Sequence, residues 1–321
     1  MFKKILFATT ASPACDSAAK VAFGLARKYS ASLLTFHVFG VPTHGSSPFF
    51  LDIKTGEHEN MFDQEYISWV REEIRNLYAD ELEKTPGAEI ECGVGVPYRE
   101  ILRKARDEDV DAIVMGSHTS MTDSETVRYR NVVGNTMQFV AKNARCPVFI
   151  ISRPCQTCIW KSGTLVCATD FSKASDAAFS FATAMASQIN SRLLIFHSVD
   201  ITPRQFGILE DQGSIEKKIK AARQRIETEY IPRMKGVKDY EIHVWEGIPH
   251  IELLKFAREH QANLVIMAHH NSDAAGKEGR LGSMVEQVVL RSGCPVLSVN
   301  KPATERNSSL WTMEKELAHA H

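Results

Sequence analysis

Two hydrophobic periods alternate along this chain. Residues 5–9 read Ile-Leu-Phe-Ala-Thr, an apolar run closing on a small polar residue, which predicts a buried strand. Ser12 and Pro13 then open a helical stretch to residue 29, with Ala18, Val21, Ala22 and Leu25 on one face. Ser12 is the expected cap, and Pro13 suits the first helical position. Strand-like runs follow at 32–39, 88–94, 110–115 and 147–152, and helical periods at 66–82, 98–107 and 133–143. Residues 40–65, rich in Gly, Pro, His and Phe, read as a long loop, and the helix at 66–82 as packed on a sheet. The order then repeats, with strands at 165–169, 192–199, 241–245, 264–267 and 295–299. Strands alternating with helices predict a parallel sheet covered on both faces and joined by right-handed crossovers.

The repetition extends to residues. At an offset of 160, Ile5-Leu6-Phe7-Ala8-Thr9-Thr10 lies over Leu165-Val166-Cys167-Ala168-Thr169-Asp170. Ser12, Asp16 and Ala18 meet Ser172, Asp176 and Ala178, and Phe36-His37 meets Phe196-His197. The offset falls to 152 where Gly95-Val96-Pro97 meets Gly247-Ile248-Pro249, and to 148 where Cys146-Pro147-Val148 meets Cys294-Pro295-Val296. Matching blocks separated by length changes predict two copies of one fold, at 1–152 and 161–300, followed by a polar tail at 301–321.

Composition narrows the partners. The 321 residues fit two domains of about 150 each. A formal net charge of −1 gives no general nucleic-acid or membrane-surface footprint. No apolar run approaches the ~20 residues of a membrane span. The N-terminus runs straight into a strand and lacks a signal-peptide pattern, and the seven cysteines are scattered, so the expectation is a cytoplasmic protein with reduced thiols.

Five pieces in order, most of them present twice, resemble the universal stress protein family in its tandem form. They are Ala168-Thr169-Asp170-Phe171-Ser172 after a strand, Phe-His at the second strand, Gly-x-Pro before a helix, Val114-Met115-Gly116-Ser117-His118, and the Cys-Pro-Val strand opening. The resemblance implies an α/β fold of two tandem Rossmann-like domains (adenine-nucleotide α-hydrolase-like), each a five-stranded parallel sheet with helices on both faces. It implies ATP binding in many members, through a Gly-x2-Gly-x9-Gly-Ser/Thr loop after the fourth strand. It also implies pairing of the two halves through their last strands, 147–152 and 295–299, as an internal pseudo-dimer; a homodimer of chains is a further possibility.

In open parallel sheets ligands sit beyond the strand carboxyl ends, where strand order reverses. Glycines let backbone amides approach phosphates, and a helix start attracts anions. In the second half the motif positions are Ala268, Asn271, Gly282 and Ser283, with a ten-residue middle spacer. Ala268 is tolerable if its φ is negative, and Asn271 suits a left-handed position. Lys277 and Arg280 lie in the same loop. The resemblance assigns Asp170 to ribose or to a metal near the phosphates. The candidate nucleotide-binding set is Ala168, Thr169, Asp170, Ser198, Met267, Ala268, His270, Asn271, Gly282, Ser283 and Met284. The expected ligand is ATP, with AMP or ADP as alternatives and Mg2+ accompanying a triphosphate. In the first half Gly116, Thr119, Gly134 and Asn135 stand at the motif positions, with fourteen residues between Thr119 and Gly134 that include Asp123 and Glu125, and Thr10 replaces the acid. That site is read as diverged.

Each feature also has a structural reading. Asp170 could simply cap the next helix, and Gly282-Ser283 could be only a helix start. His37 and His197 read as packed residues. A metal at His269, His270, His243 and His250 is disfavoured, as is metal or disulfide chemistry at Cys155 and Cys158; Cys146 and Cys294 read as small buried residues. No Walker lysine, Gly-x-Ser-x-Gly elbow or HExxH pattern occurs. The expectation is therefore a non-catalytic adenine-nucleotide-binding regulatory protein with its site in the second domain. A scaffold without ATP function and a weak ATPase are the alternatives.

Overall fold

The computed structural model describes residues 1–40, 49–51, 58–60, 63–117, 135–153, 163–202, 211–269 and 283–300. Along the first half run β1 (Lys4–Thr9), a 3-10 turn (Pro13–Cys15), α1 (Asp16–Tyr29) and β2 (Ser32–Gly40). A short hairpin, β3 (Phe49–Leu51) with β4 (His58–Asn60), precedes α2 (Gln64–Leu77) and α3 (Ala79–Glu83). Then come β5 (Glu89–Gly95), α4 (Pro97–Asp107), β6 (Ala112–Gly116), α5 (Asn135–Asn143) and β7 (Val148–Ile151). The second half runs β8 (Thr164–Ala168), α6 (Lys173–Ile189), β9 (Arg192–Asp200), α7 (Gln212–Arg225), a π-helical turn (Ile226–Tyr230) and a 3-10 turn (Ile231–Arg233). It ends with β10 (Tyr240–Gly247), α8 (Pro249–Glu259), β11 (Leu264–Ala268), α9 (Ser283–Arg291) and β12 (Val296–Val299).

Ten strands form one sheet in the order β10-β9-β8-β11-β12-β7-β6-β1-β2-β5. Within each half the strands are parallel, and β12 meets β7 antiparallel. At that seam Leu297 lies opposite Phe149, Val296 opposite Ile150 and Ser298 opposite Val148, so each strand repeats the other about a local twofold. Contacts beside it follow the same symmetry. Ser152 donates to the Val289 carbonyl at 2.6 Å, its counterpart Asn300 donates to the Ala141 and Ala144 carbonyls at 2.7 and 2.8 Å, and Gln138 donates to Glu286 at 3.2 Å. Two apolar layers sandwich the sheet, and each contains residues from both halves.

Several sequence expectations need adjusting. The 40–65 loop contains a two-stranded hairpin. The 66–82 helix breaks at Tyr78 (φ −107°, ψ 19°), whose side chain turns into the core against Phe7 and Phe23. Ser12 makes no side-chain cap, because a 3-10 turn intervenes before α1. Its counterpart Ser172 does cap α6, accepting from the Ser175 amide at 3.1 Å. No helix among the described residues is long and apolar enough to cross a membrane.

Candidate functional site

Chain order along the sheet reverses between β1 and β6 in the first half and between β8 and β11 in the second. A crevice is expected beyond the carboxyl ends of those strand pairs. Because α9 leads from β11 back to the parallel strand β12, its N-terminus lies at that same end.

Ala168 closes β8 and is buried; Met267 and Ala268 close β11. Ser198 lies on β9, where its Oγ donates to the Gly247 carbonyl of β10 at 3.4 Å. Pairing of Ala168 with Phe196 and of Ile266 with Cys167 sets Thr169, Ser198 and Ala268 on three adjacent strand ends. Ser283 begins α9, followed by half-buried Met284. His270, Asn271, Gly282, Lys277 and Arg280 lie outside the described residues, as do Thr119, Asp123, Glu125, Gly134, Cys155 and Cys158. Ala268 and its counterpart Gly116 both sit in strand conformation without positive φ, so the methyl group is sterically acceptable.

The tip of β8 is held by hydroxyls. The Thr169 amide donates to the Phe196 carbonyl at 2.9 Å. Its Oγ1 accepts from the Phe171 amide at 3.0 Å and is bonded to the Tyr230 phenol at 2.8 Å and to Ser175 Oγ at 3.1 Å. Ser175 in turn donates to the Ser172 carbonyl at 2.9 Å. This turn forces Phe171 to φ 62°, a left-handed conformation that a bulky side chain rarely adopts. Asp170 Oδ1 accepts from the Ser172 amide at 2.9 Å. Ser172, not Asp170, therefore caps α6, while Asp170 braces the turn and remains exposed. Partial desolvation raises the Asp170 pKa, but hydrogen bonds from Ser172 and Ser175 outweigh it and the net shift is downward.

His197 Nδ1 meets the Thr169 carbonyl at 2.8 Å. A carbonyl only accepts, so Nδ1 carries the proton. Burial lowers the pKa of this imidazole, which favours its neutral form. The Phe171 ring lies 4.5 Å from His197, and the Arg225 guanidinium sits 4.6 Å from the Phe171 ring centroid.

The first half keeps this skeleton. Thr9 Oγ1 bonds the Tyr78 phenol at 2.8 Å and accepts from the amide of Ala11 (φ 55°) at 3.0 Å; His37 Nδ1 donates to the Thr9 carbonyl at 3.0 Å. The chemistry above it differs. Thr10 replaces Asp170 and bonds Ser12 Oγ at 2.8 Å and Cys15 Sγ at 3.3 Å, and Ala11 replaces Phe171. The carboxylate and the Phe–Arg stack belong to the second half. The sequence reading missed Tyr78, Tyr230 and Arg225, and named Phe171 only as part of a motif. The two tyrosines were findable, because they match at the same offset that aligns Gly95 with Gly247.

Other candidates read as packing. His243 Nε2 bonds Glu241 at 2.9 Å and its ring lies 4.7 Å from Phe256. Among the described residues no group of three or more His, Cys, Asp and Glu could hold a metal. Cys146 is buried, which pushes its thiol up to about 12.

Comparison with known proteins agrees with this architecture. The Universal stress protein family profile matches residues 1–152 and 162–300. Universal stress protein MJ0531 of Methanocaldococcus jannaschii is 30% identical over 161 residues, covering 48% of this chain and 84% of that protein. The crystal structure of a universal stress protein from Archaeoglobus fulgidus DSM 4304 superposes with a TM-score of 0.62 at 21% identity, covering 93% of this chain and 96% of the other. A functionally unknown protein from Pseudomonas aeruginosa PAO1 gives a TM-score of 0.61 at 15% identity, covering 98% of each chain. The chain belongs to the universal stress protein family.

Proposed function

We propose that this chain is a non-catalytic, adenine-nucleotide-binding regulatory protein whose site lies at the β8–β11 crevice of the second domain. The observation that carries this reading is the difference between two otherwise matching strand tips. Both have a Thr–Tyr hydrogen bond, a carbonyl-bound imidazole and a left-handed residue. Only the second places an exposed, ionised carboxylate there, at Asp170. Asp170 and Ser198 would receive the nucleoside, with Thr169 shaping the turn between them. Ser283 and the first amides of α9 would receive phosphate, as helix starts do. His270, Asn271 and Gly282 complete the set by sequence. Mg2+ would accompany a triphosphate. The domains at 1–152 and 161–300 would work as an internal pseudo-dimer, the first serving as partner.

Isothermal titration calorimetry with ATP and Mg2+ tests the reading. A hydrogen bond to a charged group is worth about 1.5–3 kcal/mol, so Asp170→Ala is expected to weaken binding about 10- to 100-fold. Thr10→Ala should leave affinity unchanged. No binding heat at millimolar nucleotide would refute the proposal and favour the scaffold reading.

A further inference from the structure

The equivalent helices of the two halves carry opposite charge. Together α2 and α3 hold Glu65, Glu72, Glu73, Asp80, Glu81 and Glu83 against Arg71 and Arg75. The matching stretch of the second half, α7 with the two turns that follow it, holds Lys217, Lys218, Lys220, Arg223, Arg225 and Arg233 against Glu216, Glu227 and Glu229. Both α2 and α7 are 14 residues long. Their buried sides, Ile74 and Tyr78 in one and Ile215 and Ala222 in the other, fix which sides face out. Helical spacing then puts Glu65, Trp69 and Glu72 on the outward stripe of α2, and Lys217 and Lys220 on that of α7. All five are exposed, and Trp69 at 59% is the most exposed of the large apolar side chains among the described residues.

Placement makes these faces complementary between molecules. Ile74 and Tyr78 share one apolar layer with Ile226 and Tyr230, which directly follow α7, so both helices cover the same face of the sheet. They pack beside β5 and β10, the two edge strands, and so lie at opposite ends of the sheet. Within one chain they cannot meet. Two chains facing each other through this layer, related by a twofold along the strand direction, bring the acidic helix of each over the basic helix of the other. That arrangement closes with two identical contacts. The other in-plane twofold sets acid on acid and base on base, which repels.

We propose that this face binds a second copy of the same chain, with α2–α3 of each copy docked on α7 of the other and Trp69 set among the lysines as a cation–π anchor. This rests on the charge and placement of the helices and is independent of the nucleotide site.

Sedimentation velocity on the full chain tests it. Wild type is expected to dimerise at about 50 mM salt, with the dissociation constant rising at least about tenfold at about 500 mM, where the screening length shrinks to a few ångströms. The variant Glu65→Lys/Glu72→Lys makes the outward stripe of α2 basic like that of α7, and Lys217→Glu/Lys220→Glu makes the outward stripe of α7 acidic like that of α2. Each should be monomeric alone, and an equimolar mixture should recover dimer at low salt. If either pair fails to melt cooperatively, the Gln versions of the same sites replace it, and each should weaken the wild-type dimer. Wild type that stays monomeric at low salt, variants that dimerise like wild type, or a mixture of folded charge-reversed variants that stays monomeric would each overturn the proposal. So would a basic face that binds heparin or anionic vesicles while the wild type shows no dimer.

Discussion

The hydroxyl cluster beneath the candidate site yields a quantitative prediction. Thr169→Val keeps the shape of a side chain that is 6% exposed and removes only its hydroxyl. Three hydrogen bonds go with it: the Phe171 amide at 3.0 Å, the Tyr230 phenol at 2.8 Å and Ser175 Oγ at 3.1 Å. Tyr230 is buried at 1% exposure, so water cannot replace the lost bond and its phenol is left with Ser175 alone. An unsatisfied buried polar group costs about 1–3 kcal/mol, and the strained Phe171 turn loses its brace as well, so Thr169→Val should destabilise by about 2–4 kcal/mol. Tyr230→Phe leaves Thr169 with Ser175 and the Phe171 amide and should cost about 1 kcal/mol. Combining the two removes the phenol that Thr169→Val leaves short of a partner, so the double variant should cost less than the sum by about 1 kcal/mol. Urea unfolding followed by circular dichroism, with unchanged denaturant dependence, measures all four corners of the cycle. The reasoning is refuted if Thr169→Val lies within about 0.5 kcal/mol of wild type, or if the two effects add within about 0.3 kcal/mol.

The remaining predictions concern pH and backbone strain. Burial lowers the His197 pKa below its ordinary 6.5, so the unfolded chain takes up the proton first as pH falls. Its contribution is therefore fully present above 6.5 and declines as pH drops through 6.5 toward the folded value. His197→Asn, which can still donate to the Thr169 carbonyl, should flatten the loss of stability between about pH 7 and 5; an unchanged slope contradicts the assignment. Gly247 has φ 142°, and a Cβ there would lie 2.6 Å from Glu252 Cγ. Gly247→Ala should lower stability by about 1–3 kcal/mol, and Glu252→Ala in that background should recover part of it; no loss in chemical denaturation would count against the strain.

Local patterns carried much of the fold. Short apolar runs and helical spacing located the ten strands of the main sheet, and the matched blocks identified two copies of one unit. The hairpin at Phe49–Leu51 was hidden because its strands are three residues long, too short to show a period. The break at Tyr78 was hidden because helical spacing continues on both sides, and the bend comes from the pull of the Thr9 hydroxyl and the Phe7 and Phe23 rings. Ser172 and Asp170 are two residues apart and both are good caps, so only the hydrogen bonds separate their roles.

By itself, the sequence determined the family, the α/β order and the places where the halves differ, because strand and helix periods and residue identities are local properties. It distinguished Asp170 from Thr10 without coordinates. The tertiary structure decided which residues act together. It brought Tyr230 to Thr169, Arg225 over Phe171 and Phe149 opposite Leu297, and it placed the acidic and basic helices on one face at opposite edges. Those juxtapositions depend on strand register and helix rotation, which join residues far apart in the chain and leave no local pattern to read.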